Sequence, residues 1–290
     1  MKNRVTIKPF LFAALLSLAS ASCEQDLDVD SQDRVSESDF LNNPDNAVRL
    51  VNGVYNKMLD FNMYSFSWIG MTSITSDDAD KGSIVGDTGT DKDKLDALNF
   101  DSSLISFNDV WKGRYDGIYR ANNALFFLEK VTIDPALKNR LIGEVKFLRA
   151  LYYFDLVRCY GGVPLVTERT QNVSDTNAIL QAVYGRKTKA ETYAFIETEL
   201  TDAINRLPLK TTYGPNDLGR ATKQAAQGLL AKAYLYEEKW QDAFNSAGDV
   251  MASGQYSLLA DYASVWREVG ENGTESVFEV QAVMDNGLVD

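Results

Sequence analysis

Histidine is missing altogether from these 290 residues. A Ser-His-Asp triad, a Cys-His pair and the usual His-based zinc and iron sites are therefore excluded within this stretch. Cysteine occurs only at Cys23 and Cys159, too few for a zinc site made of thiolates alone. Long apolar runs are lacking too. The run from Phe10 to Leu18 falls short of the ~20 residues that a membrane-spanning helix needs. Positive charge is scarce: 29 Lys and Arg stand against 41 Asp and Glu, a net charge of −12. Phosphate binding depends on clustered Lys and Arg, so this balance argues against a nucleic-acid partner. The acidity itself speaks mainly to solubility. Carboxylate pairs stay open as catalysts, although abundance alone points to none.

What is present suits a globular chain: 45% of the residues are hydrophobic, enough for a large core in one domain or two. The start, "MKNRVTIKPFLFAALLSLASASC", sets Lys2, Arg4 and Lys8 before the short apolar run and small residues after it. That is the order of a secretory signal over residues 1–22. Cys23 follows the small residues directly, where a bacterial lipoprotein is cleaved and lipidated, and acyl chains there would anchor the chain to a membrane. Residues 23–39, "CEQDLDVDSQDRVSESD", are polar and acidic and read as an extended tether. Cys159, left without a partner, reads as a buried thiol in an apolar helix.

From residue 40 onward the pattern is helical. Ala47, Val48, Val51, Val54, Tyr55, Met58 and Leu59 form one stripe. Trp111, Tyr115, Ile118, Tyr119, Asn122, Leu125 and Phe126 share a broad face, so Trp111 reads as structural. Asp134 and Pro135 supply an N-cap and a first helical residue. Further helices are expected over "TKAETYAFIETELTDAINRLP" and as a pair over "ATKQAAQGLLAKAYLYEEKWQDAFNSAGDVMASGQYSL", turning near Glu237–Lys239. In that pair Ala226, Ala233, Ala243 and Ala247 allow close approach, and Leu229, Leu230, Tyr234 and Phe244 fill the gaps. Thr188 and Thr222 stand 34 positions apart, which agrees with a tetratricopeptide period of ~34. The fold class is mainly α: a tetratricopeptide-like scaffold of helical pairs, with long loops and little strand. "ESVFEV" alternates like a strand. The pattern is then cut short, as in a chain truncated at its C-terminus.

The stretch "LRALYYFDLVRCYGGVPLV", Leu148 to Val166, is apolar on two sides. Leu141, Val145, Leu148, Tyr152, Leu156 and Cys159 make one stripe; Phe147, Leu151 and Phe154 make another, as in a helix packed between neighbours. Glu144, Asp155 and Arg158 gather on a third side, with Asp155 and Arg158 paired at i,i+3. Arg149 stands apart and needs a carboxylate or helix-end carbonyls from elsewhere. Gly161 or Gly162 provides the left-handed stop, and Pro164 prevents resumption.

The string "EVKFLRALYYFDLVRCYGGVPLV" resembles the signature of the SusD/RagB family at Glu144, Leu148, Arg149, Ala150, Tyr153, Phe154, Leu156 and Tyr160 to Leu165. "CEQDLD", "WKGRYDGIYRANNAL", "GRATKQAAQGLLAKAYLY", "WQDAFNSAGDVMASGQYSL" and "ESVFEV" agree with the family in order. The resemblance implies a surface-exposed lipoprotein of the outer membrane, of the kind found in Bacteroidetes, with a SusD-like helical domain over 40–290. It implies a protein that binds a glycan or other nutrient without cleaving it. Its partner would be a SusC-type TonB-dependent transporter, on which it acts as the lid in polysaccharide uptake. Two alternatives remain: a carboxylate-dependent glycosidase on a helical scaffold, and a tetratricopeptide-type adaptor without a small ligand.

Ligand contacts are expected from a loop running from Met63 to Phe107, because flat aromatic faces suit the C–H faces of sugar rings while hydroxyls need polar partners. The candidates are Trp68, Phe100 and Phe107, with Asn99, Asp101 and Asn108 beside them; the alternative for each aromatic is a core contact. Asp77, Asp78 and Asp80 offer weak carboxylate ligands for Ca²⁺, outside any EF-hand register. No catalytic residue and no other cofactor is expected.

Overall fold

The computed structural model describes residues 40–41, 43–169 and 185–282. The expected leader (1–22), the tether (23–39) with Cys23, and most of the polar stretch Thr167–Lys187 lie outside them. Contacts divide the chain into Met1–Phe40 and Leu41–Asp290; the architecture below is that of the second unit.

Local chemistry sets the helix starts. Helix α1, Pro44–Asn56, begins where the Asn43 side chain accepts the N–H of Asp45 at 3.0 Å, with Pro44 in its first turn. Its inward residues are Ala47, Val51 and Val54, and Met58 follows in a 3₁₀ turn. A short helix α2, Phe66–Ile69, runs into a π turn at Gly70–Ile74. Helix α3, Thr90–Asp96, precedes the two longest helices, α4, Ile105–Lys130, and α5, Pro135–Tyr160. Asp134 caps α5 by accepting the N–H of Leu137 at 2.8 Å. Helix α6, Lys189–Arg206, opens with a capping box in which Thr188 and Glu191 bond each other's backbone N–H. Those same bonds from Thr188 hold the Glu191 carboxyl below its usual range. Thr222 caps α7, Lys223–Tyr236, and α8, Trp240–Ala252, returns antiparallel after a turn where Glu238 adopts φ 61°.

Helix α5 is the centre. It packs against α1, α4 and α6 and touches α7, while α7 also lies on α6 and α8. Both expected faces of α5 are covered: Leu141, Val145, Phe147, Leu148, Tyr152, Phe154 and Leu156 are buried. Removal of each such side chain from water contributes about 1.5–3 kcal/mol. The stop falls where the sequence places it, but not in the left-handed helical conformation expected there. Gly161 takes φ 71° and ψ −143°, a region essentially reserved for glycine. At Gly162 a Cβ would lie 2.0 Å from the Lys187 carbonyl oxygen, where the chain passes beside the isolated bridge between Pro164 and Arg186.

Polar groups on α5 find partners across the helices. Arg149 bonds Glu199 of α6 through Nε at 2.7 Å, Asn122 Oδ1 of α4 at 2.7 Å and the Thr167 carbonyl at 3.2 Å. It thus meets the expected carboxylate, together with a loop carbonyl rather than a helix-end one. The Arg158–Asp155 pair forms at 2.5 Å. Glu144 joins a different group: Arg220 meets it at 2.9 Å and Arg140 at 3.5 Å. Burial pushes its carboxyl up against the pull of these cations.

Three expectations are corrected. The alternation in "ESVFEV" forms no strand, because among the described residues no neighbouring chain offers a ladder. Instead Phe278 packs edge-on against Phe147 at 4.9 Å, and Glu275 accepts the N–H of Leu259 at 2.8 Å. Phe244 does not fill the α7–α8 gap; it is 74% exposed. Ala243 and Ser246 face inward instead, and Ser246 bonds the Gln227 carbonyl at 2.9 Å. Ala247 likewise lies exposed rather than at the contact.

Candidate ligand-binding site

The segment between α2 and α4 is held by buried lysines. Lys81 bonds Asp87 at 2.6 Å and Asp93 at 2.7 Å, which holds both carboxyls below their usual range. Lys92 bonds Asp91 and the Ser106 hydroxyl, each at 2.9 Å, and tethers α3 to the first turn of α4. Leu98 then turns at φ 50°. The Asp101 carboxylate accepts the N–H of Ser103 at 2.7 Å, and Ser103 holds it below the usual range. The short connection from α3 to α4 is therefore a built turn.

Phe100 and Phe107 meet across that turn, edge to face, with ring centroids 5.7 Å apart and planes at 75°. Phe100 stays 46% exposed, while Phe107 is half-buried in the first turn of α4. Asn99, Asp101 and Asn108 are exposed beside them in sequence. The Asn99 and Asn108 side chains have no hydrogen-bond partner among the described residues. The arrangement offers an aromatic surface with unspent amides, the elements that a C–H face and its hydroxyls require.

Behind the pair stands the end of α5. The Tyr160 hydroxyl donates to the Phe107 carbonyl at 2.7 Å. Its ring meets Trp111 edge-on at 5.2 Å, and Trp111 lies 4.9 Å from Tyr115. Burial pushes the Tyr160 phenol up, so it remains a neutral donor. Trp111 is structural, as its stripe position suggests. Tyr160 is the residue that sequence reasoning missed. The Tyr-Gly-Gly string was read only as a cap, and the signal for a bracing role was the buried-tyrosine rule that its hydroxyl must find a partner.

Trp68 does not join this pair. It sits on α2 rather than in a loop, with the Arg114 guanidinium 4.2 Å and that of Arg158 5.8 Å from its ring centre. Tyr64 lies edge-on at 5.8 Å. Arg114, wholly buried, bonds Asp155 at 3.1 Å, and Asp155 also accepts from Tyr64 at 2.9 Å. Trp68 is half-buried, and its ring faces these cations rather than the Phe100–Phe107 pair.

Asp77, Asp78 and Asp80 are exposed around a turn in which the Asp78 N–H bonds the Ser76 hydroxyl at 3.2 Å. They do not converge: no group of three His, Cys, Asp or Glu side chains placed to hold a metal ion occurs among the described residues. Cys159 is half-buried, and burial pushes its thiol up, which suits an inert thiol.

Comparison with known proteins bears on this geometry. A SusD-like family profile, described as "Starch-binding associating with outer membrane", matches residues 27–235. SusD-like protein P25 of Formosa agariphila is 24% identical over 296 aligned positions, covering 96% of this chain and 52% of its own length. A SusD-like protein of Bacteroides ovatus is 27% identical over 192 positions, covering 61% of this chain and 33% of its own. Among solved structures, a laminarin-binding SusD-like protein superposes with a TM-score of 0.68 at 28% identity, covering 82% of this chain and 51% of that one. A SusD homologue from Bacteroides thetaiotaomicron gives 0.71 at 27% identity, covering 87% and 50%. The chain spans about half the length of P25 and of these two structures.

Proposed function

Because the chain belongs to the SusD-like family, we propose that it is a surface-exposed glycan-binding lipoprotein, anchored through Cys23, that binds without cleaving. Its partner is a SusC-type TonB-dependent transporter of the outer membrane, for which it acts as the lid in polysaccharide uptake. The observation that carries this reading is the match of residues 27–235 to a starch-binding, outer-membrane-associated family. The Phe100–Phe107 pair supplies the contact surface, with Asn99, Asp101 and Asn108 as hydroxyl partners. The Asp101 carboxylate accepts the Ser103 N–H and keeps further lone pairs for a sugar hydroxyl. The relative solved as a laminarin binder puts β-glucans in the panel to be tried first.

Affinity electrophoresis of the 290-residue chain in gels containing laminarin, starch, xylan or galactan tests this reading. Retardation is expected in at least one gel, lost in Phe100→Ala and Phe107→Ala. Release of reducing ends from the retained polysaccharide, or retention unchanged in both variants, refutes it.

A further inference from the structure

A second concave site lies where the C-terminal end of α1 meets the segments around Leu218 and Val280, with a volume of about 260 Å³. Four primary amides line it: Asn52, Asn56, Asn216 and Gln281, the last already bonded to Asn272 through its oxygen at 2.8 Å and its nitrogen at 3.3 Å. The Asn52 oxygen accepts from Arg220 at 2.8 Å, which leaves its NH₂ group unspent. The Asn56 and Asn216 side chains have no hydrogen-bond partner among the described residues, and both are exposed. Apolar wall comes from Met58, Leu59, Leu218 and Val280, of which Leu59 and Leu218 are half exposed.

Charge is present but committed. Arg220 bonds Glu144 at 2.9 Å and Asp217 at 2.7 Å. Glu279 accepts the N–H of Asn272 at 3.1 Å. An anionic ligand would find no free cation and would lose its hydration for nothing. An amide offers two donors and an acceptor, so neighbouring amides match hydroxyls that each donate and accept. The apolar wall suits the C–H face of the same ring. The volume lies just under the ~300 Å³ at which pockets for drug-sized ligands begin, which fits one ring and not a chain of them.

We propose that this pocket binds a single neutral pyranose ring, as a site separate from the Phe100–Phe107 pair. The choice of a sugar among neutral polyols rests on the carbohydrate-binding reading above; the size and the amide chemistry stand without it.

The test is ¹⁵N NMR of the 290-residue chain, following side-chain amide signals during millimolar titrations with methyl α-glucopyranoside, methyl β-galactopyranoside and glucuronate. Saturable shifts at Asn56 and Asn216 are expected with at least one neutral glycoside. The affinity, followed at the Asn52 side-chain signal, should fall about tenfold or more in Asn56→Ala/Asn216→Ala, and exposure of both residues keeps the fold intact in that variant. Phe100→Ala/Phe107→Ala should leave the shifts unchanged. No saturable shift with either neutral glycoside overturns the proposal, as does tighter binding of glucuronate or loss of the shifts in the phenylalanine variant. Lost polysaccharide retention with amide shifts intact counts against the earlier reading alone. Retention without amide shifts counts against this one alone.

Discussion

Replacement of Arg149 by alanine removes a cation that ties α4, α5 and α6 together. Arg149 is 5% exposed and its partner Glu199 3% exposed. The guanidinium reaches Glu199 Oε2 at 2.6 Å through its second terminal nitrogen, besides the Nε bond. Stripping one member from a buried ion pair costs about 3–5 kcal/mol, because the other charge stays buried without compensation. Here Lys146 remains 3.3 Å from Glu199 Oε1 and offsets part of that, so the lower end applies. Asn122 Oδ1 loses its donor as well, for about 1 kcal/mol. A loss of about 3–4 kcal/mol follows, and at about 2–4 °C per kcal/mol for a chain of this size, Tm should fall by about 6–16 °C. Differential scanning calorimetry reads the shift directly. Arg149→Met combined with Glu199→Leu should recover most of it, since neutral packing relieves the stranded charge. Polysaccharide retention below the lowered Tm should match the parent. A variant with Tm within about 1 °C of the parent but without ligand retention would refute the reasoning and move Arg149 into the binding surface.

Glu237 is pushed up to about 7 by burial and by the neighbouring Glu197, with Lys239 between them at 3.1 Å and 2.5 Å. A raised folded-state value means that its contribution to stability is full below the ordinary carboxylate range and is lost as pH rises through about 7. Glu237→Gln should therefore gain in Tm relative to the parent between acid and neutral pH; a constant difference across that range contradicts the assignment. Gly162→Ala drives a Cβ against the Lys187 carbonyl and the Thr188 backbone, 2.0 and 2.7 Å away. It should cost about 2 kcal/mol or more in urea denaturation, and a neutral result would mean that the close approach is absent in solution. Phe244→Ala, on the exposed side of α8, should change stability by less than about 0.5 kcal/mol. A core-sized loss would restore the inward placement that the repeat pattern suggested.

How far the sequence could be read depends on whether a partner is local. The cap of α5, the turn at Glu237–Lys239 and the position of the stop at Gly161 all lie within a few residues of what they act on, and each was legible. Arg149 was legible as a residue in need of a partner, but Glu199 lies 50 positions away and no local rule names it. Phe244 and Val277–Val280 failed for the opposite reason. Apolar periodicity says which side chains share a face, and only the neighbour decides whether that face is covered. Trp68 was placed in a loop because a four-residue helix is too short to show a period.

The candidate site was legible as residue types and not as a constellation. Phe100 and Phe107 are brought together by a turn whose parts, the αL residue Leu98 and the Asp101–Ser103 bond, are visible only once the chain is folded. The most recognisable stretch of the chain contributes indirectly. Its charges are consumed inside: Arg149 on Glu199, Asp155 on Arg114 and Arg158, Glu144 on Arg220. A side chain whose bonds are spent has nothing to offer a hydroxyl without first losing what it holds. What α5 adds to the surface is a single bond, from Tyr160 to the Phe107 carbonyl, which fixes the start of α4 and with it the ring. On the reading proposed above, recognition falls to groups that the signature does not contain: the half-exposed ring of Phe100 and the unspent amides of Asn99 and Asn108. These can change from one chain to another without disturbing a buried partner, which is why the scaffold identifies the family while the ligand must be found by titration.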